Sequence, residues 1–281
     1  MTTGLESLER WPGQHRGAGW VDRSGRWEAA GAVERPLRLA SVTKVLTALG
    51  VLVATEEEVL ALDEPAGPPG STVRLLLCHA SGLPFEGTTP IAEPGTRRIY
   101  GNAAFEHLGD LLAERTGMSW AEYVREAVCR PLGMDATELR GSPAAGAHST
   151  VADLLRLGAE LLDPQVILSP ETVAEATTAQ LPDLDGVLPG FGRQRPNPWG
   201  LGLEIKGSKS PHWTPASASP ATFGHFGQSG SFLWVDPDAG VACAGLSDQP
   251  FGDWAREAWP VLGDAVLAEA RRGRSAHNAP G

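Results

Sequence analysis

The sequence predicts an α+β fold: an antiparallel sheet flanked by N- and C-terminal helices, with a helical domain inserted and the active site at the interface. Three observations predict it. Period-two patterning occurs near the start, in Gly17–Val33, and strand-like segments separated by Gly, Pro and Asp turns lie between Trp199 and Ser247. Helical spacing of apolar residues fills the region between, and one more helical segment, Asp253 to Arg272, closes the chain. The order strands, helices, strands, helix brings both chain ends into one sheet. The expected division is an α/β domain from residues 1–60 and 197–281, with a mainly helical domain at 61–196.

Taken in order, GAGWVDRSGRWEAAGAV alternates around Arg23-Ser24-Gly25, a hairpin signature. After Pro36, Val42, Val45, Leu46, Leu49 and Leu52 recur at three and four spacing, so a helix begins near Ser41 and ends by PAGPPG at 65–70. TVRLLLC at 72–78 is a short apolar segment before the turn-rich HASGLP. A helical run over 102–128 is broken at Gly117. Thr150 and Asp153 form a capping pair that opens a helix to about Leu162. Residues 182–198, rich in Pro, Gly and Arg, read as a long loop. Trp199–Ile205, Ser231–Asp236 and Gly240–Ser247 read as strands, and the tail after Gly273 as disordered.

Bulk properties narrow the function. With 281 residues, 42% hydrophobic and 20% charged, the chain is an ordinary globular protein. A net charge of −11 and the lack of any basic run argue against nucleic-acid or anionic-membrane partners. MTTGLESLERWPGQH has no positive segment followed by an apolar one, and Val45–Ala54 is too short to span a bilayer. Cys78, Cys129 and Cys243 are odd in number and far apart, which fits reduced thiols. His107 and His148 have no carboxylate partner at metal spacing. The expectation is a cytoplasmic, acidic globular protein with no metal or cofactor.

The chain has only three lysines, Lys44, Lys206 and Lys209, and one of them lies in LASVTKVLTALG, three residues after Ser41. Positions i and i+3 share a helix face, so the Lys44 amine reaches the Ser41 hydroxyl, which itself sits at the positive end of the helix dipole. Burial disfavours a lysine's charged form and fits it for proton transfer. The same four residues also fit a serine cap beside a snorkelling lysine. Tyr100, one of two tyrosines, lies in YGN (100–102), where a phenol held near an ammonium has its pKa lowered and acts as general base. Asn102 either holds Lys44 or simply caps a helix. His225, between glycines in GHFG, suits an edge strand lining a cleft, or a satisfied structural histidine.

Together, SVTK, YGN and HFG, in this order and spacing, resemble the serine hydrolases of the class C β-lactamase type. That superfamily includes the D-alanyl-D-alanine carboxypeptidases and the family VIII-type bacterial esterases, with a penicillin-binding-protein-like fold. The resemblance extends through RLASVTKVLTALGVLVATEEEVLALD, TVRLLLCHASGLP, the segment EPGTRRIYGNAAFEHLG onward and GHFGQSGSFLWVDPDAG, from about residue 36 to 247. It implies that Ser41 is the nucleophile of an acyl-enzyme. Lys44 and Tyr100 would share the base role, with Asn102 orienting Lys44 and the substrate. His225 would stand where β-lactamases have a lysine. Gly227 and Gln228 would border an oxyanion hole made of the Ser41 and Gln228 backbone N–H groups.

The implied activity is hydrolysis of a small ester or amide. The alternatives are a β-lactamase or D-amino-acid peptidase proper, an acyltransferase of a biosynthetic pathway, and a non-catalytic penicillin-binding-like sensor. The histidine in the third motif weakens the β-lactamase reading, and the lack of a signal argues against a peptidoglycan substrate. In 207–222, GSKSPHWTPASASPAT, either the residues Lys209, His212 and Trp213 would wall the cleft, with Trp213 touching substrate, or the segment is a flexible connector. His79 is expected to fix a turn, and Ser229 to serve turn geometry near the oxyanion strand.

Overall fold

Residues 4–277 are described by a computed structural model. A hairpin of β1 (Arg16–Asp22) and β2 (Trp27–Gly31) leads through β3 (Leu37–Arg38) and a tight 3₁₀ turn (Ala40–Val42) into α1 (Thr43–Glu56). The middle of the chain carries α2 (Val73–Leu77), α3 (Ala103–Thr116) and α4 (Trp120–Val124). Beyond β4 (His148–Ser149) come α5 (Val151–Leu162), α6 (Pro170–Ala176) and a small hairpin of β5 (Gly186–Leu188) and β6 (Gly192–Gln194). Strands β7 (Glu204–Ile205), β8 (Phe223–Gly227), β9 (Ser231–Asp236) and β10 (Val241–Ser247) precede α7 (Asp253–His277).

The main sheet is antiparallel, in the order β2-β1-β10-β9-β8-β7, so the two ends of the chain meet where β1 pairs with β10. Trp20, Cys243 and Trp234 stand in one cross-strand row and pack against Trp259, Leu262 and Val266 of α7. The adjacent row, with Leu233 opposite Ala244, faces the other way, toward α1 and α5. Both faces are therefore covered, and β8, β9 and β10 are buried along their whole length. That explains why their sequences read as continuous apolar runs instead of alternating ones.

Helix α1 is the centre of the helical layer. Every residue from Thr43 to Ala54 is buried, as for a helix that is apolar all round. It packs against α3 and α4 on one side and approaches β8 on the other. Its buried hydroxyls are satisfied: Thr47 donates to the Pro143 carbonyl at 2.6 Å and accepts from Trp120 Nε1 at 2.8 Å. Arg98, also buried, donates to the carbonyls of Cys78, Asn197, Gln180 and Leu181, tying the 78–82 turn to the 180–198 segment.

The structure departs from the sequence reading at several places. The expected loop at 182–198 contains the β5–β6 hairpin. The expected strand Trp199–Ile205 shrinks to Glu204–Ile205, because the chain turns at 200–203 and Trp199 joins only as an isolated bridge. His225 lies on β8, one strand in from the edge. Helix α7 extends to His277, so the disorder expected after Gly273 fails for 274–277 and otherwise concerns residues outside those described. Helix α5, placed by sequence in the helical domain, packs directly on β1, β9 and β10. Among the described residues no helix is long and apolar enough to cross a membrane.

Helix α5 approaches the sheet closely at Gly158, where a Cβ would lie 2.8 Å from the Ala242 Cβ and 3.3 Å from Leu233 Cδ1. Gly158→Val is therefore expected to destabilise the fold by about 1–3 kcal/mol through overpacking, read as a lower midpoint in denaturant unfolding. An unchanged midpoint would refute this contact.

Candidate active site

Ser41 occupies the 3₁₀ turn that feeds α1, one residue after Ala40, whose φ of 44° is unusual for a side chain with a Cβ. Neighbouring strands hold this turn in place. Ser231 donates to the Leu39 carbonyl and Ser229 to the Arg38 carbonyl, both at 2.6 Å, while the Leu39 N–H donates to Ala147. Ser229 thus has the turn-fixing part expected of it. Gly227, at the end of β8, lies so near that a Cβ there would collide with the Leu39 carbonyl and with Ser231 Oγ. Its lack of a side chain lets the strand meet the Ser41 turn.

One turn into α1, Lys44 is fully buried. Its Nζ is 2.7 Å from Asn102 Oδ1, 3.0 Å from the Ala144 carbonyl and 3.4 Å from Ser41 Oγ. The Nζ also sits 5.1 Å from the centre of the Tyr100 ring and 5.7 Å from that of Phe105. Burial lowers the amine's pKa to about 7, with only Glu106 pulling the other way. Both protonation states are accommodated. The ammonium donates to three oxygens. The neutral amine gives its two hydrogens to the two carbonyl-type oxygens, which only accept, and turns its lone pair toward Ser41.

The Tyr100 phenol lies beside Ser41 on the cavity wall. The sequence reading expected a nearby ammonium to lower the phenol's pKa; burial raises it instead, with Ser41 only partly opposing. The physical reason is that removing the phenol from water penalises a phenolate by more than its surroundings stabilise one. Tyr100 therefore stays protonated, and Lys44 is the member of the pair available in its free-base form near neutral pH. Behind Tyr100 lies His79, buried, at φ 58°, with ring centres 4.7 Å from Tyr100, 4.6 Å from Trp199 and 5.2 Å from Phe105. Burial, reinforced by Lys44, holds its pKa well below the usual histidine value. His79 does form the turn expected, and it also backs the tyrosine.

His225 faces this group across the cleft, 5.8 Å from Tyr100 and 5.5 Å from Trp199 between ring centres. A cavity of about 250 Å³ opens beside Ser41. Phe85, Tyr100, Leu188, Pro189, Trp199 and Phe226 form its walls; Ser41, Glu204, His225 and Gln228 supply its polar lining. Asn102 and Lys44 stand behind the wall.

Trp213 does not line this cavity. It is buried against Phe226 and Phe232, with Nε1 donating to Glu204 Oε2 at 2.6 Å. Lys209 and His212 likewise point at Glu204 Oε1, at 2.6 and 2.7 Å. Burial alone would raise the Glu204 pKa, but the Lys209 charge and these hydrogen bonds outweigh it and keep the carboxylate ionised. Segment 207–222 is a pinned strap behind the cleft, further held by Ser219 on Asp236 and Lys206 on the Ala218 carbonyl. Residues the sequence reading missed are Glu204, the walls Phe85 and Trp199, and the Ala144 carbonyl. An acidic residue inside the apolar run WGLGLEI, followed by Lys209, His212 and Trp213, was a visible signal for the first. A backbone carbonyl leaves none.

Comparison with known proteins bears on the family and the fold. The profile of the Beta-lactamase family matches residues 14–267. A beta-lactamase from Mycobacterium bovis has a solved structure that is 51% identical, with a TM-score of 0.93 over 95% of this chain and 99% of that one. The simvastatin synthase of Aspergillus terreus shares the fold at 19% identity, with a TM-score of 0.77 over 96% of both chains. Penicillin-binding protein 4* of Bacillus subtilis is 28% identical over 38% of this chain and 32% of that protein. The matched region spans about a third of the length of such curated relatives.

Two outcomes follow from the Lys44 geometry. Lys44→Arg keeps a cation but places a guanidinium that does not deprotonate, so acylation should fall by about 10²–10⁴-fold while the fold persists, as read by single-turnover kinetics. In the native protein, kcat/KM should fall as pH drops through about 7, because protonating Lys44 removes the base. A profile flat from pH 5 to 8 would contradict this assignment.

Proposed function

Since the chain belongs to the Beta-lactamase family, we propose that it is a serine hydrolase that carries its substrate's acyl group on Ser41, cleaving a small ester or amide. The single observation that carries this reading is the Lys44 amine, buried between two carbonyl-type acceptors with Ser41 as its third neighbour. In the reaction, neutral Lys44 takes the Ser41 proton as Oγ attacks the carbonyl carbon. The developing oxyanion is held by the Ser41 and Gln228 backbone N–H groups, each donor worth about 3 kcal/mol. Tyr100, beside Ser41 on the cavity wall, delivers a proton to the leaving group and is refilled from Lys44. Water then repeats the sequence in reverse and frees Ser41.

The cavity volume of about 250 Å³ lies below the roughly 300–1,000 Å³ of ordinary ligand pockets, which favours a small acyl or leaving group. His225 in the place of a third-motif lysine ranks esters above β-lactams. The β-lactamase name of the Mycobacterium bovis relative makes nitrocefin the counter-substrate.

A fluorophosphonate should label the protein once, at Ser41, and Ser41→Ala should abolish the adduct. Short p-nitrophenyl esters should be turned over faster than nitrocefin. An adduct that persists without Ser41 overturns the mechanism; nitrocefin as the better substrate overturns the ranking.

A further inference from the structure

The tautomer of His225 is set by its surroundings. Its Nδ1 lies 2.7 Å from the Phe226 carbonyl. A carbonyl only accepts, so Nδ1 carries the hydrogen and Nε2 keeps a lone pair. That Nε2 is buried and has no hydrogen-bond partner among the described residues, while the ring lines the cavity beside Ser41. Burial, assisted by Lys44, lowers the imidazole's pKa to about 3, so the ring is neutral wherever the enzyme is active. A buried acceptor left unpaired is costly, and a ligand donor removes that cost.

The charge on the cavity wall has one sign. Among the described residues, Glu204 is the only ionised side chain lining the cavity, and no lysine or arginine lines it. Lys209, which partners Glu204, approaches it from the strap and is not part of the lining. The wall therefore offers one unpaired acceptor, His225 Nε2, beside a carboxylate whose oxygens already accept from Lys209, His212 and Trp213. Gln228, at the exposed mouth, is the only neutral amide among the described residues of the lining.

We infer that the substrate presents a hydroxyl or amine donor to His225 Nε2 on the Glu204 side of the cavity and bears no carboxylate there. The class is hydroxyl- or amino-bearing esters and amides, as opposed to the anionic substrates that a cation at this position would hold. This rests on the Ser41 reading above.

Phenylboronic acids provide the test. Ser41 Oγ adds to the trigonal boron, a B–O bond forms, and the hydroxyl proton passes to Lys44, leaving a tetrahedral boronate. Binding of the parent compound and of its meta- and para-substituted ethyl, hydroxymethyl, aminomethyl and carboxyl derivatives is measured by titration calorimetry. In at least one ring position, hydroxymethyl or aminomethyl should bind about tenfold tighter than ethyl, and carboxyl weaker than ethyl in both. Their mutual order tells a neutral donor from a cationic one. His225→Phe, checked for an unchanged unfolding midpoint, should level hydroxymethyl with ethyl. Ethyl binding as tightly as every donor, or carboxyl matching ethyl, overturns the inference from the native protein alone. So does a donor preference that survives His225→Phe. Absent parent binding, or parent binding that survives Ser41→Ala, overturns the Ser41 assignment beneath it and is distinguishable from a wrong ranking.

Discussion

Dehydrating one amine organises this molecule. Lys44 is fully buried, and water is replaced by three oxygens at 2.7, 3.0 and 3.4 Å. A lone ammonium in such a place would be costly, so the site supplies acceptors and the proton becomes easy to lose. Each acceptor comes from a different part of the chain. Ser41 is on the entry turn of α1, Asn102 is at the start of α3, and Ala144 lies before β4. The helical layer and the sheet converge on this point because each must reach it.

The second requirement is that Ser41 not move when the amine changes charge. Serine hydroxyls from the β8–β9 turn grip Arg38 and Leu39, and Gly227 lets the strand end close against them. On the far side, Tyr100 is backed by a stack of His79 and Trp199, whose chain segments Arg98 ties together. Acid–base chemistry therefore takes place between two rigid walls, one of hydrogen bonds and one of aromatic rings.

Much of this was legible in the chain. The first hairpin, α1, the Thr150 cap and strands β9 and β10 follow from local pattern and were read within a residue or two. Ser41, Lys44, Tyr100, Asn102 and His225 stood out through their scarcity and motif spacing, and the structure brings them to one place. What failed was whatever depends on long-range burial. Trp213 has the composition of a wall residue but turns inward to Glu204, and Tyr100 has an ammonium neighbour yet a raised pKa. Neither the direction of a side chain in a loop nor the dehydration of a whole cluster is encoded in local periodicity.

Ala144 has a consequence of another kind. The segment 143–147 is stitched to α1 three times, at Thr43, Lys44 and Thr47, and two of those contacts use main-chain carbonyls. A carbonyl survives any point substitution at its own position. This part of the proton machinery is therefore insulated from drift in side-chain identity, while a one-residue insertion or deletion between Pro143 and Ala147 would shift every oxygen out of register. The feature is inherited as a length, not as a letter.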